Sequence, residues 1–238
     1  MKKFLKKLLV NLLNSYGYTI VANNFHDWTK EDLEFREIHD LQSKFCWNDD
    51  SGPKIKRMYQ VRNILHSIKG ISGHWAECGT FKGSTALLMA EYAQRYNLLE
   101  KNCRIHLFDS FDGLSKPSEK DMGTNMIEGD YLGTLEEVKS NLSEYSIFKY
   151  YKGWIPDRFP DVEDKSFAFV HIDLDFYEPI KDSLNFFIPR MVSGGVILLD
   201  DYACFETPGA LKALEESTND IDIEISRLPY GHGYITIR

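Results

Sequence analysis

Two apolar runs, Val170-His171-Ile172-Asp173-Leu174-Asp175 and Leu198-Leu199-Asp200-Asp201-Tyr202, each close on a pair of carboxylates. Short runs of this composition read as strands of an α/β sheet. In an open sheet of that kind, ligands bind outside the carboxyl ends of the strands. Two such ends side by side gather Asp173, Asp175, Asp200 and Asp201 in one crevice. Carboxylates so crowded repel one another unless a cation or a raised pKa relieves them. The sequence therefore predicts a divalent metal here.

Upstream, Glu77-Cys78-Gly79-Thr80-Phe81-Lys82-Gly83-Ser84-Thr85 follows a short strand at 74–78 and leads into a strongly helical run over 86–93. Strand, glycine loop and helix in that order form the first half of a Rossmann-type unit. The glycines let backbone pass close to a ligand, and the helix N-terminus offers N–H donors. A second strand over 104–108 ends in Asp109, the position from which nucleoside-binding α/β folds grip ribose hydroxyls. No Lys follows the second glycine, which excludes a phosphate-cradling P-loop. Two glycines four apart do not supply the three that a pyrophosphate needs. Glu77 would repel pyrophosphate but attract an ammonium or a sulfonium. S-adenosylmethionine carries both cations and no phosphate, so the loop favours it over NAD.

The remaining elements follow in chain order. A helix is expected from about Thr29, capped by that residue, then a turn-rich break at 48–53 and an amphipathic helix of about three turns from Lys54. The polar segment 116–133 is long enough to be a lid or binding loop. Thr134 and Glu137 form a capping box for a helix to 141. Strands are expected at 148–151 and 167–172, a helix at 179–187, and a Ser193-Gly194-Gly195 turn into a strand at 196–199. A helix at 208–216 precedes two closing strands at 221–226 and 234–237, joined by a loop carrying His232. With no repeat or linker, residues 1–70 are taken as a helical region packed on the core or on a partner subunit, and 71–238 as the principal domain.

A formal net charge of −8 argues against nucleic acid as partner, since phosphate binding needs a basic face. The cysteines Cys46, Cys78, Cys103 and Cys204 form no CxxC or CxxH pair, so neither zinc nor a disulfide framework is expected. Reduced thiols fit a cytoplasmic protein. Residues 1–14 put Phe4, Leu5, Leu8, Leu9, Leu12 and Leu13 on one helical face beside Lys2, Lys3, Lys6 and Lys7. The run is too short to span a bilayer and lacks a small-residue cleavage site. A helix docked on the body or a second subunit is the leading expectation for it. A helix on an anionic membrane surface and a frayed end stay open. A homo-oligomer is expected.

Five motifs in order carry a family resemblance: Glu77 to Ser84, Asp109-Ser110-Phe111-Asp112-Gly113-Leu114, Lys152-Gly153-Trp154, His171 to Pro179, and Gly194-Gly195 to Asp200-Asp201-Tyr202. Over about 73–217 the chain resembles the macrocin and mycinamicin O-methyltransferases. The resemblance implies a Rossmann-like class I methyltransferase: a seven-stranded, mostly parallel sheet with helices on both faces. It implies bound S-adenosylmethionine, a catalytic divalent ion (usually magnesium), and methylation of a sugar hydroxyl. By position, Asp173, Asp200 and Asp201 become metal ligands. Glu77, Gly79 and Ser84 line the methionine side, with Thr80, Gly83 and Ser110 beside them and Asp109 at the ribose. Asp130, Gly153 and Trp154 fall near the cofactor, and Asp173 adjoins it. Cys78, and the segment after Thr218, depart from the family pattern, which bears on the acceptor more than on the cofactor.

Magnesium would lower the pKa of a bound hydroxyl and align its oxygen with the sulfonium methyl. Asp175 stays open between ligand, ligand support and helix cap. For the proton, His232 is entered as the catalytic candidate beside Asp173, on the expectation that its loop is mobile and exposed. His171 reads as a buried structural histidine and His106 as core. Trp154 is read as stacking on adenine or packing in the core. Two other function classes compete: a small-molecule oxidoreductase, and a non-catalytic binding module associated with a membrane.

Overall fold

The computed structural model describes residues 27–44, 53–219 and 221–238. The short α1 (Trp28–Glu31), α2 (Leu33–Gln42) and α3 (Pro53–Ser67) precede the first strand. There follow β1 (His74–Cys78), α4 (Ser84–Tyr96), β2 (Ile105–Asp109), α5 (Leu135–Asn141), β3 (Phe148–Lys152) and β4 (Phe167–Ile172). The chain closes with α6 (Tyr177–Phe187), β5 (Met191–Leu199), α7 (Pro208–Thr218), β6 (Ile225–Arg227) and β7 (Gly233–Thr236).

The strands form one seven-stranded sheet in the order β3-β2-β1-β4-β5-β7-β6. β1 to β5 pair in parallel, and β7 enters antiparallel between β5 and β6. Side chains alternate across a strand, and both faces are covered. Trp75, Ile105, Leu107, Phe169, Val196 and Leu198 share a core with α2, α3, α4 and α5. Ala76, Phe108, Val170 and Ile197 share the other with α6 and α7. The central β4 is therefore buried at every position, as parallel strands covered on both sides are. Each large apolar side chain so buried contributes about 1.5–3 kcal/mol relative to exposure. Chain order reverses between β1 and β4, which opens a crevice at their carboxyl ends.

The caps explain several boundaries. Asp32, not Thr29, caps α2, accepting from Phe35 N–H at 2.9 Å; Thr29 is buried inside α1. Thr134 caps α5 by accepting from Glu137 N–H, while the Glu137 carboxylate turns to Lys82 at 3.4 Å. Gly83, at φ 87°, starts α4. Ser193-Gly194-Gly195 lies within β5 rather than before it. Gly194 takes φ 80° and its N–H reaches Ile237 O at 2.7 Å, so the pair is an irregularity that β7 accommodates. The segment 1–14, Cys46 and most of the break at 48–53 lie outside the described residues. Among the described residues Cys78, Cys103 and Cys204 are free thiols, and no helix is long and apolar enough to cross a membrane.

Candidate active site

A cavity of about 810 Å3 opens at the carboxyl ends of β1, β2, β4 and β5. Ten of the expected residues line it: Glu77, Gly79, Thr80, Ser84, Asp109, Ser110, Trp154, Asp173, Asp200 and Asp201. Gly83, Asp130 and Gly153 stand outside its lining. Gly83 packs on Leu142, the Asp130 carboxylate accepts from Ile127 N–H at 3.0 Å, and Gly153 N–H reaches Asp109 O at 3.0 Å.

The glycine loop is shaped by close approach. Gly79 has φ 87°, and a Cβ there would fall 1.8 Å from the Asp173 carbonyl oxygen. Only glycine lets the end of β1 lie against the end of β4 in this way. Asp109 clamps the loop, accepting from the N–H groups of Thr80 (2.8 Å), Phe81 (2.9 Å) and Phe111 (2.7 Å). That fills three of roughly four acceptor positions of a carboxylate, leaving little capacity for a ribose hydroxyl.

Glu77 is buried, its Oε1 3.4 Å from His171 Nδ1 and its Oε2 without a partner. Such an orphan buried oxygen calls for an explanation, and an ammonium group from a ligand in the cavity fits it. Burial pushes the Glu77 carboxyl up, while His171 pulls the other way. Burial would lower the His171 imidazole, but the flanking Asp200 and Glu77 outweigh it and hold it up at about 10. His171 Nε2 stands 3.8 Å from Asp200 Oδ1.

Asp200 accepts from both His232 Nε2 and the Arg57 guanidinium of α3. Burial opposes its ionisation, yet His171, His232 and Arg57 hold it well below the usual carboxylate range. Asp173 and Asp201 go the other way: burial raises both, as do neighbouring acids, Asp200 first for Asp173 and Asp175 first for Asp201. Asp175 takes left-handed backbone, φ 59°, and its N–H donates to Asp201 Oδ2 at 3.1 Å. Burial and then Asp200 push its carboxyl up to about 7.

Among the described residues, His171, Asp173 and Asp200 offer ligand atoms within 4.8 Å of one another. Asp201 falls outside that set because its carboxylate is turned to the Asp175 N–H. A donor set dominated by carboxylate oxygen suits a hard divalent cation, and the raised pKa of Asp173 is the strain such a cation relieves. His232 is not the exposed loop residue expected. It is fully buried, with its Nε2 against the Asp200 carboxylate and its carbonyl oxygen tied to Leu228 N–H at 2.9 Å. Burial lowers its imidazole against the pull of Asp200. Arg57 was not foreseen. It lies off the apolar stripe of α3, and the only sequence signal for it is that clustered acids need a counter-charge somewhere.

The Macrocin-O-methyltransferase (TylF) family model matches residues 53–227. The chain belongs to the macrocin O-methyltransferase family. Within reach of this family lies a tetracenomycin-C 4'-O-methyltransferase of Streptomyces olivaceus acting on its rhamnosyl derivative, 25% identical over 63% of this chain and 61% of its own length. This chain thus spans less than two thirds of that relative. The mycinamicin III 3''-O-methyltransferase of Micromonospora griseorubida is 24% identical over 71% of this chain and 74% of its own. The solved structure of the O-methyltransferase NovP superposes with a TM-score of 0.67 at 21% identity, covering 87% of this chain and 97% of NovP. Calicheamicin methyltransferase CalS11 superposes equally, TM-score 0.67 at 16% identity, over 92% and 98%. The macrocin-family chain therefore has the class I methyltransferase fold that its sequence implied.

Proposed function

We propose that this chain is an S-adenosylmethionine-dependent O-methyltransferase acting on a hydroxyl of a sugar or glycosylated small molecule, with magnesium or another divalent cation at its acid centre. One observation carries the reading: the orphan Glu77 oxygen and the strained carboxylates share one cavity. The activities for which the tetracenomycin and mycinamicin relatives are named support the acceptor class. When bound, the cofactor supplies an electrophilic methyl, and the cation lowers the pKa of an adjacent hydroxyl.

The chain's own residues do the rest. Glu77 Oε2 receives the cofactor's ammonium, and Asp109 keeps the glycine loop rigid beneath the ribose. Trp154 walls the cavity where adenine would lie. Asp173 and Asp200 would hold the cation, with Asp201 or His171 completing the set. Arg57 pairs with Asp200 Oδ2 and offsets the charge of that carboxylate. Asp175 lines the cavity beside Asp173, its N–H donating to Asp201, and is the carboxylate we assign to receive the hydroxyl proton. His171 keeps a proton on Nδ1 toward Glu77, fixing that carboxylate in place.

The test is calorimetry with S-adenosylmethionine and with NAD, followed by mass spectrometry of a glycan and metabolite panel incubated with S-adenosylmethionine and magnesium. Binding of S-adenosylmethionine and gain of one methyl on a hydroxylated acceptor are expected. Binding of NAD alone overturns the cofactor, and transfer that survives complete chelation overturns the metal.

A further inference from the structure

The segment after β2 leaves the body as an excursion over 115–128. Its ends are tied together: Leu114 N–H donates to Asp130 O at 2.8 Å and Gly129 N–H to Leu114 O at 2.9 Å. Ser115, Lys116 and Met126 of this excursion form part of the cavity wall. Its outer side exposes Met122 and Ile127, so apolar packing does little to hold it down.

Two side chains do hold it: Lys120 reaches Glu216 of α7 at 3.5 Å on the outside, and Asp121 works from within. Asp121, only 2% exposed, accepts at Oδ2 from Ser118 N–H (2.8 Å) and Ser118 Oγ–H (2.7 Å). Its Oδ1 accepts from Tyr177 N–H, the first residue of α6, at 2.8 Å. The helix has no cap of its own, since Phe176 offers none. A carboxylate at a helix N-terminus gains from the orphan N–H groups and the helix dipole. Here that carboxylate comes from a segment 56 residues away. The turn immediately before α6 carries Asp173 and Asp175. On the far side, α7 makes room with Gly209, where a Cβ would sit 2.0 Å from Asp121 Oδ1.

We propose that Asp121 is a positioning residue: it pegs the 115–128 excursion to the start of α6, and so fixes the cavity's outer wall and the Asp173–Asp175 turn with one carboxylate. Its bearing on methyl transfer rests on the proposed function; the pegging itself does not.

The test uses the full chain in hydrogen exchange read by mass spectrometry, with calorimetry of S-adenosylmethionine. Asp121→Ala removes the peg. Gly209→Ala displaces it from the opposite side with a residue that a helix otherwise favours. Each is expected to speed exchange over 115–128 and at Tyr177 by about tenfold or more while β1 and β4 keep their protection. Each is also expected to weaken S-adenosylmethionine binding by roughly 3–10-fold. Asp121→Asn keeps an oxygen for Tyr177 N–H and should fall between. The double variant should lose less than the sum of the two single variants, since both act on the Asp121 carboxylate, although the added methyl also meets Tyr177 Cβ at 2.9 Å. Exchange that rises evenly across the sheet, or strictly additive losses, would overturn the assignment in favour of a general packing role. Unchanged exchange over 115–128 would overturn it outright. If the unaltered chain fails to bind S-adenosylmethionine, the proposed function falls and the exchange result still stands.

Discussion

Two strings of polar side chains cross this sheet from β1, in opposite directions and on opposite faces. One runs from Glu77 through His171 to Asp200, and ends at His232 and Arg57. The other runs from His74 to His106 at 2.8 Å and on to the Tyr151 hydroxyl at 2.9 Å. Both place a buried histidine at their centre, His171 in one and His106 in the other. They differ in satisfaction. His106 uses both ring nitrogens, whereas the first string leaves Glu77 Oε2, His171 Nε2 (3.8 Å from Asp200) and His232 Nδ1 without hydrogen bonds. A native core tolerates few such orphans, and tends to keep them where something else binds. Burial alone marks neither string as functional; incomplete pairing marks one of them.

The largest expected effect separates activity from stability. Asp173→Asn should lower kcat/KM at least about 100-fold, the scale of lost metal ligation, while leaving Tm unchanged or higher because a repelled buried carboxylate is gone. His106→Leu should do the reverse, costing about 1–3 kcal/mol for the partners left unpaired with turnover per folded molecule within roughly twofold. Parallel kinetics and melting curves decide. Equal losses of both kinds in the two variants would erase the contrast.

The next effect is one of pH. Burial, with help from His74, holds His106 down at about 3. The unfolded chain then binds the extra proton first, so stability is lost as pH falls from about 6.5 toward 3, by up to roughly 1.4 kcal/mol per pH unit. At the acid centre the sign is opposite. Burial and Asp200 raise Asp175 to about 7, so its contribution is lost as pH rises from about 4 toward 7. Magnesium should therefore raise Tm more at pH 8 than at pH 5. The same increment at both values would mean that the carboxylates are not what the ion relieves.

The smallest effect concerns the rim. Trp154 is 42% exposed, so Trp154→Ala should scarcely change Tm. The lost aromatic contact, about 0.5–1.5 kcal/mol, should weaken S-adenosylmethionine binding by roughly 3–10-fold in calorimetry.

The parallel strands and the acid pairs were legible in the sequence because they are local: an apolar run ends, and the residues that end it are carboxylates. The strand expected at 221–226 is reduced to Ile225–Arg227. β4 spans 167–172 as its pattern reads. Gly194 was legible as a conformation but not as a strand residue, since only pairing with the end of β7 keeps it in the sheet. His232 misled because glycines on both sides read as an open loop, while Asp200, the carboxylate its ring meets, lies 32 residues away in the chain. Arg57 and Asp121 were silent for the same reason. Each acts through a partner that no window of sequence contains.

The Arg57–Asp200 pair has a consequence for how the molecule assembles. It joins positions 143 residues apart, a long closure of the kind that slows folding. Pairing of β4 with β5 brings Asp173, Asp175, Asp200 and Asp201 together by itself, without α3. Until α3 docks, those charges lack the Arg57 guanidinium and have His171 of β4 beside them. The last stage of folding at this edge should then accelerate with divalent salt, so that the ion proposed for function would also serve as a chaperone of assembly.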